Sequence, residues 1–221
     1  MRIVFMSLTT CLYLISCSVG LAHEKTPPEN DHNDIQKYYK KNYPAGTIDV
    51  SSLSLTNCQN GINIGRKLVL VACRSTSLDT PSDSGLRLFL IQSDQNEILY
   101  YSKGAGDSYY MNYSIFQKKG INQPLIVLAE VGAEFSYGVN VFMVNGRKMT
   151  YIGSIDETVN INENPSSVVP FLKISEYQDK IQFCFTKDVL VLSSKGEYIT
   201  VSKNKIKYSY DLKSGLVRSR H

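Results

Sequence analysis

The chain has 221 residues, of which 43% are hydrophobic and 20% charged. This length and composition suit one folded domain with a substantial core and exclude a largely disordered chain. The formal net charge of +4 is too small and too evenly spread to indicate nucleic-acid binding. Tyrosine is frequent, with 15 residues, and favours strands and half-exposed surfaces.

The first residues predict an export signal. Arg2 is followed by residues 3–16, which are uncharged, mostly apolar and too short for a comfortable membrane span. Small residues at 20–22 (Gly-Leu-Ala) predict cleavage before His23, so that residues 1–22 are the signal. Residues 14–17 (Leu-Ile-Ser-Cys) also resemble a bacterial lipobox, in which case the signal is 1–16 and Cys17 is lipidated. Either way the protein is exported, and we expect it in the periplasm, soluble or tethered as a lipoprotein.

Residues 23–46 are polar and contain three of the seven prolines, which is typical of a tether. A short helix is predicted over residues 34–42, with Asn33 as its cap and Gln36 reaching back to it. Beyond the tether we expect a single all-β domain over residues 47–215 and a tail over 216–221.

The apolar runs after residue 47 are short and bounded by Gly, Asn, Asp or Ser, which indicates strands. Three runs, at residues 68–73, 125–129 and 181–185, are nearly continuous in apolar character and start 57 and 56 residues apart. Apolar side chains on both faces of a strand predict burial on both faces.

Each of these runs has a preceding strand and a following hairpin, which suggests three repeated antiparallel meanders of four strands. The preceding strands are at 53–55, 113–116 and 171–174; the hairpins span 86–101, 139–152 and 189–201. A last strand at 206–210 is predicted to pair with the first unit and cover an edge. The repeat length favours a small or incomplete β-propeller-like fold, and a β-sandwich or barrel is the alternative.

Five cysteines are present, of which Cys11 belongs to the signal. In an oxidising compartment a Cys58–Cys73 disulfide is the first choice, because the two lie close in sequence. In a plain hairpin of 53–58 with 67–73, however, Cys73 would lie far along the ladder. The alternative disulfide is Cys73–Cys184.

The sequence predicts no enzyme, because histidine is nearly absent from the domain: His23 and His32 precede it and His221 ends the chain. A serine or cysteine nucleophile would lack its base. Glu130 and Glu134 are the only pair considered for carbohydrate hydrolysis. Oxygen ligands for calcium are a weaker option, at Asp79 and Asp83 or at Asp156, Glu157 and Glu163. We therefore predict no cofactor and no metal site.

A cluster of tyrosines between the first two units predicts a binding surface, since tyrosine is enriched in protein interfaces. The predicted surface residues are Tyr101, Asp107, Tyr109, Tyr110, Glu134, Phe135 and Tyr137. The favoured hypothesis is a non-enzymatic envelope protein that binds another protein, for instance an immunity or inhibitor protein against a periplasm-acting toxin or hydrolase. The alternatives are a structural or assembly lipoprotein, with a lipid anchor as its membrane contact, and a carbohydrate-active hydrolase.

Overall fold

The computed structural model describes residues 35–49, 51–120 and 122–220, and its regular structure is all-β, as predicted. The predicted export signal, both cleavage positions and Cys17 lie outside the described residues. No helix within the described residues is long and apolar enough to cross a membrane. Two short 3-10 helices, Ser51–Leu53 and Val169–Phe171, accompany the strands.

The strands are numbered in chain order. They are β1 (Gln36–Lys41), β2 (Ala45–Gly46), β3 (Gly61–Gly65), β4 (Leu68–Cys73), β5 (Arg87–Gln92), β6 (Glu97–Tyr101), β7 (Tyr110–Lys118), β8 (Leu125–Gly132), β9 (Ser136–Asn145), β10 (Lys148–Ile155), β11 (Val159–Ile161), β12 (Asn164–Ser166), β13 (Leu172–Tyr177), β14 (Lys180–Phe185), β15 (Val189–Leu192), β16 (Tyr198–Val201), β17 (Ile206–Asp211) and β18 (Gly215–Arg220).

Nine strands form one antiparallel sheet in the order β10-β9-β8-β7-β1-β13-β14-β17-β18. The sheet curls until its two end strands, β10 and β18, come into contact, so that it is a nearly closed barrel. Gly153 permits this approach, because a Cβ at this position would lie 2.5 Å from the Cβ of Leu216. Inside the barrel, Ile126, Leu128 and Phe183 belong to one apolar core.

A second sheet of five strands, in the order β2-β3-β4-β5-β6, packs against the outside of the barrel. Leu70 and Leu88 of this sheet share a core with Val127 and Phe142 of the barrel. Strand β8 therefore contributes alternate residues to two different cores, which explains its continuous apolar run. The predicted burial of both faces is confirmed for residues 68–73 and 125–129.

Two small hairpins, β11–β12 and β15–β16, contribute to the core of the barrel. Thr158 and Leu190 exchange backbone hydrogen bonds of 3.3 and 2.7 Å, which join the two hairpins. Val159 and Val189 are fully buried in the barrel core. The polar segment 156–167 is thus partly a packed hairpin.

The three predicted units are not three equivalent blades, so the structure supports the all-β class and not the propeller-like repeat. The second unit is the meander β7–β10, as predicted. In the first unit, residues 51–53 are a 3-10 helix and β3 supplies the preceding strand instead. In the third, β14 pairs with β17 and not with β15, and its residues Gln182 and Cys184 are only partly buried. The predicted last strand, β17, pairs with β14 and β18 and not with the first unit.

Residues 36–41 form strand β1, not the predicted helix. The strand lies in the middle of the large sheet, between β7 and β13. Tyr38 points into the barrel core and its hydroxyl donates a 2.9 Å bond to Glu176, whereas Tyr39 faces outward. At the other end of the chain the predicted tail forms β18, so residues 215–220 also belong to the sheet.

Cys58 and Cys73 form a disulfide, as predicted, and Cys184 is a free thiol, so the alternative Cys73–Cys184 pairing is wrong. The strand register explains the pairing. The chain reverses at Arg66-Lys67, Ile62 faces Leu70, and Thr56 exchanges hydrogen bonds with Arg74, which places Cys58 beside Cys73. A disulfide at the edge of a core is the state expected in an oxidising compartment.

Candidate functional site

A buried arginine organises the loop between β4 and β5. The side chain of Arg87 is 0% exposed, although residues 88–91 of the same strand are all apolar. Its guanidinium donates to the carbonyls of Leu78, Asp83 and Ser102 at 3.0, 2.7 and 3.1 Å. Arginine carries several N–H donors in a fixed fork, so it can bond several carbonyl oxygens at once. These hydrogen bonds offset the cost of burying its charge.

Two aspartates complete this network. Asp79 and Asp83 approach the guanidinium at 3.3 and 3.1 Å. Asp83 also accepts a 2.6 Å bond from the amide of Gly104, and this bond and Arg87 lower the pKa of its carboxyl. A Cβ on Gly104 would lie 2.1 Å from the carbonyl of Ser84, so only glycine fits there. Asp79 and Asp83, one of the two groups of acidic residues proposed for calcium, thus pair with the guanidinium of Arg87.

This network forms one wall of a cleft of about 550 Å³ between β6 and the β9–β10 hairpin. The cleft lies where the end strand of the small sheet, β6, approaches the end strand of the large sheet, β10. It is lined by Asp83, Tyr100, Tyr101, Ser102, Lys103, Gly104, Asn140, Phe142 and Tyr151.

Aromatic rings form the floor and sides of the cleft. Tyr100 packs edge-on against Phe142, and Phe142 against Tyr151, with ring centroids 6.2 and 5.5 Å apart. Phe142 is buried, whereas Tyr101 and Tyr151 remain 48% and 49% exposed. Two half-exposed tyrosines beside a polar asparagine and a lysine make a surface suited to contact with a ligand.

The backbone of β6 adds hydrogen-bonding groups to this cleft. Ser102 donates to Leu88 at 2.9 Å, so the alternation of an antiparallel ladder turns the N–H and C=O of Tyr101 away from β5. Since β6 is the last strand of its sheet among the described residues, these groups lie on an edge that no described strand covers. An exposed edge of this kind can accept an added strand.

The other predicted surface residues lie at the ends of β7, β8 and β9. Phe135 and Tyr137 are exposed and in edge-on contact at 5.4 Å, and Tyr109 is exposed, with its amide donating to Gly132. Glu134 and Asp107 are exposed in turns. Of the predicted residues, Tyr101 lines the cleft described above.

Tyr110 pairs with one of the two glutamates considered for hydrolysis. Its hydroxyl donates a 3.3 Å bond to Glu130, which is nearly buried, while Glu134 lies in the exposed turn beyond it. Burial, followed by the negative charge of Glu130, raises the pKa of Tyr110 to about 12. The tyrosine therefore remains a hydrogen-bond donor at neutral pH.

A second buried carboxylate closes the seam between β10 and β18. Glu157, which is 1% exposed, accepts a 2.6 Å bond from Tyr208 and lies 2.8 Å from the guanidinium of Arg218 on β18. Burial raises the pKa of Glu157, and the contacts with Tyr208 and Arg218 oppose that rise. An ion pair, and not a ladder of backbone hydrogen bonds, therefore links β18 to the residues that follow β10.

Sequence reasoning missed Arg87 and Tyr151, although each left a signal. Arg87 is the only charged residue in the run 86–91, with two aspartates shortly before it, which is the pattern of a buried and compensated charge. Tyr151 lies two residues after the buried Met149 on β10, and alternation along the strand places the two side chains on one face. The sequence could not show that Tyr151 lies across the cleft from Tyr101, because β6 and β10 belong to different sheets.

Comparison of the chain with models of protein families, with curated proteins and with solved structures found no match.

Proposed function

We propose that this is a non-enzymatic, exported envelope protein of the periplasm that binds another protein in the cleft between β6 and β10. The observation that carries the proposal is the combination of a free strand edge with two half-exposed tyrosines. Backbone groups on a free edge bind an extended segment of a partner, and tyrosines supply contact area at low entropic cost. In its narrower form, the proposal is that this protein is an inhibitor or immunity protein that blocks a toxin or cell-wall hydrolase.

Aromatic rings also bind sugars, but two features favour a polypeptide. The outward N–H and C=O of Tyr101 match an added strand in spacing and direction. The nearest acidic side chain in the cleft, Asp83, is bound by Arg87 and Gly104. The cleft therefore offers neutral aromatic and backbone contacts, together with Lys103, to its ligand.

Site-specific photo-crosslinking tests this proposal. Benzoylphenylalanine replaces Tyr101 or Tyr151 in the cleft, or Tyr39 as a control of matched exposure on β1. After irradiation in the producing cells we expect one protein adduct from both cleft positions and none from position 39. The Tyr101→Ala/Tyr151→Ala variant should no longer bind the same partner, while Tyr39→Ala should still bind it.

Two results would contradict the proposal. One is the absence of a protein adduct at both cleft positions, or the same adduct at position 39. The other is binding of purified envelope polysaccharide that the double alanine variant abolishes, which would make the cleft a sugar site.

A further inference from the structure

Strand β16 has an edge that no other strand covers within the described part of the chain. It pairs only with β15, in a two-stranded sheet. Tyr198, Ile199 and Thr200 are all exposed, the first two by 43% and 49%. Exposed edge strands usually carry proline, a bulge or an inward-pointing charge that prevents pairing, and residues 198–201 (Tyr-Ile-Thr-Val) carry no proline or charge.

The hydrogen bonds of β15 show which groups of β16 lie on this edge. Leu190 uses its N–H and C=O to bond Thr158, on the side away from β16. Thr200, directly opposite Leu190, is therefore in a non-hydrogen-bonded pair, and its own N–H and C=O point outward. Those of Tyr198 point the same way, because direction alternates along a strand, whereas the C=O of Ser202, just after β16, accepts the N–H of Lys205.

A second copy of the same strand fits this edge in one preferred register. When two copies of β16 pair antiparallel about Thr200, each Thr200 exchanges bonds with its counterpart and Tyr198 faces Ser202. Glu197 of each copy then lies near Lys203 of the other, which is in the turn after β16. Both side chains are exposed, and among the described residues the ammonium of Lys203 is otherwise held only by a 3.4 Å bond to the Thr186 carbonyl. Centring the pair on Ile199 instead would oppose Lys195 with Lys203, which is unfavourable.

We propose that this protein forms a symmetric homodimer in which β16 of one copy pairs with β16 of the other about Thr200. The small hairpin then becomes half of a continuous four-stranded sheet across the twofold axis. This interface uses a different strand edge from the β6–β10 cleft and does not rest on the proposed function.

Cysteine crosslinking reads the register directly. In a Cys184→Ser background, Thr200→Cys places two thiols across the axis, where hydrogen-bonded Cα atoms are about 5.5 Å apart, within disulfide range. We expect a covalent dimer on mild oxidation. The matched control, Tyr198→Cys, places its thiol opposite Ser202 and far from its counterpart, and should remain monomeric on a denaturing gel.

Sedimentation velocity over a concentration series measures the dimer itself. Thr200→Pro removes an outward N–H from each copy while keeping every bond to β15, so the dissociation constant should rise about tenfold or more. Thr200→Val, which keeps the N–H, is its control. Glu197→Lys should raise the constant about fivefold by opposing like charges, and adding Lys203→Glu should restore dimerisation.

The charge variants keep the test decisive if Thr200→Pro fails to fold, which circular dichroism would show. The proposal is wrong if the wild type sediments as a monomer at every concentration. It is also wrong if a dimer forms whose dissociation constant is unaffected by Glu197→Lys, or if Tyr198→Cys crosslinks as well as Thr200→Cys.

Discussion

At the scale of single residues, two of the buried charged side chains that the structure describes, Arg87 and Glu157, have different roles. Arg87 binds acceptors in the β4–β5 loop and at Ser102 and holds the wall of the cleft. Glu157 is held by one tyrosine and one arginine at the seam of the barrel. Removing a partner from a buried charge is costly, because it leaves the other groups without compensation.

Arg87→Met should lower the free energy of unfolding by about 3 kcal/mol, because it leaves buried carbonyl groups without a donor. Asp79→Asn is the matched control. It alters the longest contact of the same guanidinium, made by a partly exposed carboxylate, and should cost less than about 1 kcal/mol. Urea unfolding at neutral pH measures both values, and similar losses for the two variants would show that the network does not hold the loop.

The stability of the seam should depend on pH through Glu157. Burial raises its pKa above the ordinary value of 4.5. Between pH 4.5 and that raised pKa, the native state therefore binds more protons than the unfolded state. This carboxyl therefore lowers the free energy of unfolding as the pH rises from 4.5 through its folded pKa. The loss is complete above that folded pKa.

Glu157→Gln removes this dependence. We expect the stability of the variant relative to the wild type to increase with pH from about 4.5 upward and then level off. Urea unfolding over a pH series measures this difference. A relative stability that instead decreases with pH would show that the ion pair with Arg218 outweighs burial.

At the scale of elements, β1 forms where the sequence predicts a helix. Its lysines and the capping pattern before it favour a helix locally. Pairing with β7 and β13 overrides that preference, and those strands lie far away in the sequence. The meander β7–β10 was predictable because its pairings are between neighbours along the chain and its turn contains Asn145-Gly146.

Two adjacent tyrosines distinguish the strand from the predicted helix. Tyr38 is 6% exposed and Tyr39 48% exposed, since neighbouring residues of a strand point to opposite faces. Tyr38→Ala should destabilise the protein by about 3 kcal/mol, while Tyr39→Ala should cost less than about 0.5 kcal/mol. Thermal or urea unfolding gives both numbers, and equal effects would contradict the placement of β1.

The candidate cleft was only partly predictable for the same reason. Tyr101 was recognised because tyrosines crowd around it in the sequence. Tyr151, Phe142 and Asn140 join it only through the packing of one sheet on the other, which local patterns do not encode. Proximity in sequence made Cys58–Cys73 the first choice, and the turn at Arg66-Lys67 removes the objection that Cys73 would lie far along the ladder.

At the scale of the whole molecule, the two sheets share a core and should unfold together. Leu88, Val127 and Phe142 belong to one cluster that joins both sheets. We expect a single cooperative urea transition, coincident for circular dichroism and for tyrosine fluorescence. Two separated transitions would show that the sheets are independent domains.

The position of β1 also has a consequence for biogenesis. It is the first strand of the described residues to be synthesised, yet one of its neighbours, β13, ends at Tyr177, late in the chain. In a polypeptide that emerges amino terminus first, β1 can pair with β7 early, but its other edge must stay unpaired until β13 has followed. The large sheet is therefore completed only when β1 lies between β7 and β13, which are synthesised later. Nascent chains truncated before Leu172 should be recognised by chaperones and proteases as incompletely folded.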